Sequence, residues 1–224
     1  MSPRFELVVA RYEEDLAWLK RVPKDFRITV YDKGDGASGG IPLLNEGREA
    51  HTYLHHLAER HDSLSELTVF VQGHPFDHAP DLQKQLGAYA EGTAAVADFY
   101  WLGFLADTDD PRGRRLFVPW SKNPERKELQ LEDFHRELFG EPGPDAYRFF
   151  VGAQFAVTRA TAYCRPREFY RKAADIAARF PLAPHCFERC WDRVFGCNGT
   201  AGRLPANQLT AYFKPIKRLS ALQA

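Results

Sequence analysis

Residues 46–72, EGREAHTYLHHLAERHDSLSELTVFVQ, decide the fold. Within them Ala50, Tyr53, Leu54, Leu57 and Ala58 recur at i, i+3, i+4, i+7 and i+8. That spacing draws one apolar stripe along a helix from about Glu46 to His61. Leu67 to Gln72 follows as a short apolar run rich in β-branched and aromatic residues, a buried strand closed by the breakers Gly73 and Pro75. Upstream, residues 6–12 (Glu-Leu-Val-Val-Ala-Arg-Tyr) read as a strand, and Glu13 to Arg21 as a helix with Leu16 and Leu19 on one face. Residues 27–31 alternate as a second strand, and Asp32 to Gly40 (DKGDGASGG) is a loop by composition. Two strand–helix units followed by a strand call for parallel strands joined by crossovers. The expected fold class is α/β, a mostly parallel central sheet flanked by helices, in a single domain over residues 1–224.

The second half is less regular. Helices are expected over Asp81–Ala90, Leu131–Phe139, Pro166–Phe180 and Pro184–Gly196, the last with the stripe Phe187, Cys190, Trp191, Val194 and Phe195. Phe149 to Val157 reads as one buried strand. Ala106 to Arg126 reads as a polar loop, and an irregular tail starts at about residue 197.

Composition bounds the function. The chain has 224 residues, 44% hydrophobic and 27% charged, with Lys+Arg and Asp+Glu balanced at 30 each. A net charge of zero offers no global field for nucleic acid or an anionic membrane. No apolar run approaches the roughly 20 residues of a spanning helix. The N-terminal apolar run is too short for a signal core. Cys164, Cys186, Cys190 and Cys197 then read as free thiols in a reducing compartment, and a cytoplasmic location is expected. No P-loop, G-x-G-x-x-G or G-x-S-x-G motif occurs.

Ligands of open α/β sheets bind beyond the carboxyl ends of the strands. Arg11, Tyr12, Glu13, Asp32, Lys33, Gln72 and His74 stand at or just past those ends, where turn chemistry is the plain alternative. His74, Asp77 and His78 lie in one loop and have the donor types of a divalent-metal site, or of a loop that hydrogen-bonds a hydroxylated substrate. Arg48, His51, His55 and Glu59 form a polar strip on the 46–61 helix, either solvated or turned to a ligand. His185, Glu188 and Asp192 share a face of the late helix. A carboxylate beside a histidine there suits a general base, and equally a cap on the helix dipole. Asp107, Asp109 and Asp110 read as a solvated turn. His185 with Cys186, Cys190 and Cys197 matches no ordinary zinc spacing.

The strings VARYEEDLAWL (9–19), YDKG (31–34), NEGREAHTYL (45–54), TVFVQG (68–73), GAQFAV (152–157) and ERCW (188–191) together resemble a domain-of-unknown-function family of fungal and bacterial proteins. The order of parts also resembles a type A glycosyltransferase. That resemblance implies a sugar nucleotide as donor, an unidentified acceptor and a divalent metal, Mn or Mg, on the diphosphate. Gln72-Gly73-His74 stands where such enzymes carry an acidic D-x-D. The resemblance therefore assigns any metal to His74, Asp77 and His78, and the diphosphate to Arg11, Lys33 and Arg48. It makes Glu188 the base for the acceptor hydroxyl, with His185 and Asp77 as catalytic partners. Tyr12, Glu13, Asp32, Gln72 and Gln154 complete the binding set. A metal-dependent hydrolase or lyase using the 74–78 loop is the alternative from another class. A non-catalytic carbohydrate- or nucleotide-binding domain is the third.

Overall fold

A computed structural model describes residues 3–103, 105–107, 110–116, 127–200 and 211–212. Its central sheet contains β1 (Phe5–Arg11), β2 (Phe26–Asp32), β3 (Ile41–Pro42), β4 (Leu67–Gln72), β5 (Phe99–Trp101) and β8 (Phe155–Thr158), in the order β3-β2-β1-β4-β8-β5. Pairings among β1, β2, β3 and β4 are parallel, whereas β8 runs antiparallel to both β4 and β5. The sheet is therefore mixed, which corrects the expectation of a mostly parallel one. A second sheet joins β6 (Leu105–Asp107), β7 (Phe149–Phe150) and β9 (Ala211–Tyr212) in the order β7-β6-β9.

Alternation along the strands loads both faces of the sheet with apolar side chains. Val8, Ala10 and Phe70 join one core cluster, and Phe5, Leu7, Val9, Val69 and Val71 join the other. The first face is covered by α1 (Arg48–Glu59), α5 (Arg167–Arg179), α6 (Ala183–Glu188) and α7 (Trp191–Val194), with α3 (Leu131–Phe139) packed behind α5 and α6. The second face is covered by α2 (Leu82–Ala90) and the Trp18 turn. A short α4 (Arg159–Ala162) caps β8, with the Thr158 side chain accepting from the Thr161 N–H. The expected stripe of α1 is buried at every position: Ala50, Tyr53, Leu54, Leu57 and Ala58.

Three expected elements differ. The 13–21 helix is only a 3-10 turn over Ala17–Arg21. Local side-chain bonds hold its start open, because Glu14 accepts the Tyr12 N–H and Asp15 accepts the Ala17 N–H. The 149–157 strand is broken by Gly152 (φ 98°) and Ala153 (φ 50°), and the chain passes there from one sheet to the other. The 184–196 helix divides into α6 and α7, since Cys190 leaves helical geometry at φ −128°. Of the expected 106–126 loop, residues 108–109 and 117–126 lie outside the described residues, as do 201–210 and 213–224 of the tail. No helix among the described residues is long and apolar enough to cross a membrane.

Candidate functional site

The strand order turns back at β1: β2 and β3 lie on one side of it and β4 on the other. Such a switch point opens a crevice at the carboxyl ends of the flanking strands. The segments after Arg11 and after Gln72 border it. Two groups of polar residues meet there, and they behave differently.

The first group is committed to the protein itself. Arg11 Nη1 donates to Asp32 (2.8 Å), Asp35 (2.8 Å) and the Tyr12 carbonyl (3.2 Å), and Nε donates to the Glu14 carbonyl (3.0 Å). Asp32 also accepts from Ser38 Oγ (2.5 Å) and from the Gly34 N–H (2.9 Å), so it folds the glycine-rich loop back on β2. Lys33 is buried, and its ammonium donates to the Glu46 and Arg48 carbonyls. Burial lowers its pKa to about 8, with Glu49 and Glu46 opposing. Gln154 is fully buried and donates to the Pro75 carbonyl (3.0 Å), which fastens the 73–78 loop to β8. Tyr12 and Glu13 lie exposed on the rim.

The second group converges. Glu188, from α6, accepts the Gly152 N–H at 2.7 Å on one oxygen and Arg189 Nη1 at 3.0 Å on the other. Arg189 is itself fixed by the carbonyls of Gly113 (2.7 Å), Arg115 (2.8 Å) and His185 (2.9 Å). Glu49, from the first turn of α1, lies within the electrostatic reach of Gln72 at the end of β4. Burial raises the pKa of Glu49 against the pull of Arg48, and the Glu188 charge adds to the rise. Arg48 Nε lies 3.7 Å from Glu49 Oε2, with its own side chain 60% exposed. Burial lowers the pKa of His185, with Glu188 opposing and Arg189 and Arg48 reinforcing. Thus α1, β4, the β7–β8 turn and α6 bring Arg48, Glu49, Gln72, His185 and Glu188 into one electrostatic neighbourhood.

Backbone strain marks the same place. Among the described residues, the non-glycine residues with positive φ are Arg48, Ala153 and Leu182. Each borders this cluster: one opens α1, one follows Gly152, and one precedes α6. Strained conformations persist where the surroundings impose them, and functional sites are where they gather.

The metal reading has less support. His74 Nε2 and Asp77 Oδ1 are 3.9 Å apart and largely exposed, while His78 packs against Gly152. Among the described residues no three His, Cys, Asp or Glu side chains are grouped to hold a metal ion. Asp192 does not join Glu188: the break before α7 places it at a separate depression of about 500 Å³ with Arg148, Arg193 and Asn198. Asp110 serves a turn, accepting from the Arg112, Arg114 and Arg115 N–H groups. The Asp107 side chain and Asp109 lie outside the described residues. All four cysteines are free, and burial pushes the Cys186 thiol up to about 12. His51 and His55 stack half-buried on α1 (centroids 6.1 Å apart), with His51 beside Lys33.

Sequence reasoning missed Glu49 and Glu14. Glu49 stood only inside the expected 46–61 helix, and Glu14 inside the expected 13–21 helix. The available signal was their position just past β1 and just inside α1, on the strand-end side of the sheet.

Residues 7–92 match the family described as Protein of unknown function (DUF3431). The matched segment runs from β1 through α2 and contains Arg11, Glu14, Arg48, Glu49 and Gln72, while Gly152, His185 and Glu188 lie beyond it. Over that segment the likeness to an uncharacterised family holds. No curated protein matches the chain.

Proposed function

We propose that the protein is a glycosyltransferase-like enzyme that moves a sugar from a nucleotide-sugar donor to an acceptor hydroxyl. The observation that carries the reading is the placement of Glu188. Its carboxylate is oriented by the Gly152 N–H and Arg189 and acts electrostatically on Glu49 in the first turn of α1, on the side where the crevice of an open α/β sheet takes its ligand. A carboxylate has about four acceptor sites, so two remain for an incoming O–H. Glu188 takes the acceptor's proton as its oxygen attacks the anomeric carbon. The bond from that carbon to the diphosphate breaks, and the nucleoside diphosphate leaves with the electron pair.

Arg11 and Lys33 are bound to their own loops, so the diphosphate falls to Arg48 and the N–H groups opening α1. His185, kept toward neutrality by burial, hydrogen-bonds the ligand without adding charge. Among the described residues the 74–78 loop does not assemble a three-ligand set. Melting temperature against a panel of nucleoside diphosphates and nucleotide sugars, with and without manganese, tests the reading. A ligand that binds the native state raises it by mass action. A saturable shift with one nucleotide is expected and should be lost in Arg48→Ala. The absence of a shift with every nucleotide would end the donor assignment.

A further inference from the structure

The depression that Asp192 lines lies apart from the Glu188 cleft and has its own set of polar groups. It measures about 500 Å³, inside the range of about 300–1,000 Å³ typical of small-ligand pockets. The start of α7 and the loop that follows it supply most of its lining. The Cys197 N–H and thiol both bond the Asp192 carbonyl, at 2.9 and 3.2 Å, and so turn that loop back over α7.

Asp192 is 5% exposed. Its carboxylate accepts the Arg193 N–H (2.9 Å) on one oxygen and the Gly199 N–H (3.1 Å) on the other. A carboxylate has about four acceptor positions, so two remain. Both donors are neutral backbone groups, and among the described residues no lysine or arginine forms an ion pair with this carboxylate. A buried charge is ordinarily paired, and this one is left uncovered by the protein's own cations.

The lining grades from buried acceptors to open donors. Thr200, also 5% exposed, donates its hydroxyl proton to Asn198 Oδ1 (3.0 Å). That leaves the Thr200 oxygen to accept and the Asn198 NH2 to donate. Arg148 and Arg193 are half-buried and Asn198 is exposed. The Arg193 guanidinium lies over the Tyr147 ring, 6.0 Å from its centroid, and forms no ion pair among the described residues. One cavity thus offers a buried carboxylate at one end and a guanidinium at the other.

We propose that this depression binds a small zwitterion, its primary ammonium on Asp192 and its oxyanion, a carboxylate or a phosphate, on Arg193. An ammonium carries three donors and no acceptor, so it can take both remaining positions on Asp192 while offsetting the buried charge. A neutral hydroxyl would fill a position and offset nothing. The guanidinium fork matches an oxyanion in shape as well as charge. An α-amino acid carries both groups, and so does an aminoalkyl phosphate. Nothing here depends on the transferase reading.

The probes are L-serine, O-phosphoethanolamine, propionate and ethanolamine, titrated separately into the intact protein near neutral pH and followed by calorimetry. At least one of the two zwitterions should bind saturably, and the tighter one identifies the oxyanion. Propionate lacks the ammonium and ethanolamine lacks the anion, so each should bind at least about tenfold more weakly. Asp192→Asn and Arg193→Gln should each weaken the zwitterion about tenfold or more, the worth of one charge-assisted hydrogen bond. Arg193 has no ion pair to lose, so its variant should keep the wild-type melting temperature and gives the test even where Asp192→Asn fails to fold. Glu188→Gln should bind the zwitterion as wild type does, because the cleft is elsewhere. Saturation by neither zwitterion would overturn the proposal. So would equal binding of propionate or ethanolamine, full binding by Arg193→Gln, or loss of binding in Glu188→Gln.

Discussion

His56 makes the stability of this fold depend on pH in a calculable way. It is fully buried in α1, with Nδ1 3.2 Å from the Tyr31 hydroxyl and Nε2 3.7 Å from Glu6. Burial lowers its pKa to about 4, with the Glu6 charge opposing. In the unfolded chain the same imidazole titrates near the reference value of about 6.5. Between those values the unfolded state binds a proton that the folded state refuses, so stability falls as pH falls. The loss comes to about 2 kcal/mol at pH ~5 and approaches ~3 kcal/mol below pH ~4. Against a typical total of about 5–15 kcal/mol that is a large fraction.

Glu6 acts in the same direction. Burial alone would raise its pKa, but the hydrogen bonds from Arg27 and Thr29 and the nearby His56 outweigh it, and the net shift is downward. Its contribution is present above the unfolded carboxyl value and is lost as pH falls through the folded one. Burial also lowers His51, to about 4, and Asp192, raised by burial to about 6, gains stability on acidification instead. These groups are present in wild type and in His56→Gln alike, so the difference between the two proteins reports His56 together with its coupling to Glu6. Urea denaturation followed by circular dichroism is the assay. The wild-type advantage over His56→Gln should shrink by about 2 kcal/mol between pH ~7.5 and pH ~5. A difference that does not change with pH would refute the reasoning.

Two further substitutions test how the site is built. Arg11→Ala leaves Asp32 buried without its cation, and should cost about 3–5 kcal/mol in denaturant unfolding rather than act on ligand binding alone. Gly152→Ala puts a Cβ against His78 at a left-handed φ of 98°, and should lower stability by about 2 kcal/mol or more while disturbing the N–H that orients Glu188. A melting temperature within a degree or so of wild type in either variant would show that the strain or pairing is misjudged.

The first 92 residues were readable, apart from the 13–21 segment, because one rule governs each of their main elements. The α1 stripe from Ala50 to Ala58 and the apolar run Leu67–Gln72 have the periods of a packed helix and a buried strand, and both lie where those periods put them. Elements decided by tertiary contacts were not readable. Phe99–Trp101 is too short to signal a strand, yet it pairs along β8. The apolar run Phe149–Val157 hides a reversal at Gly152–Ala153 that only the meeting of two sheets requires. The site divides in the same way. Arg11, Lys33, Gln72 and Glu188 were visible as polar residues near strand ends or on a late helix. Whether each one faces a ligand or its own loop depends on partners such as Asp35, the Arg48 carbonyl and the Gly152 N–H, which are far away in sequence. Glu49 was hidden because a first-turn acid has an ordinary explanation in the helix dipole.

Glu188 is proposed as the base of a sugar-transfer reaction. Its most direct test is release of nucleoside diphosphate from the nucleotide sugar that stabilises the protein, compared between wild type and Glu188→Gln. The variant is expected to fold and bind the nucleotide as wild type does, yet to turn over at least about 100-fold more slowly. Equal turnover by the two proteins would contradict it.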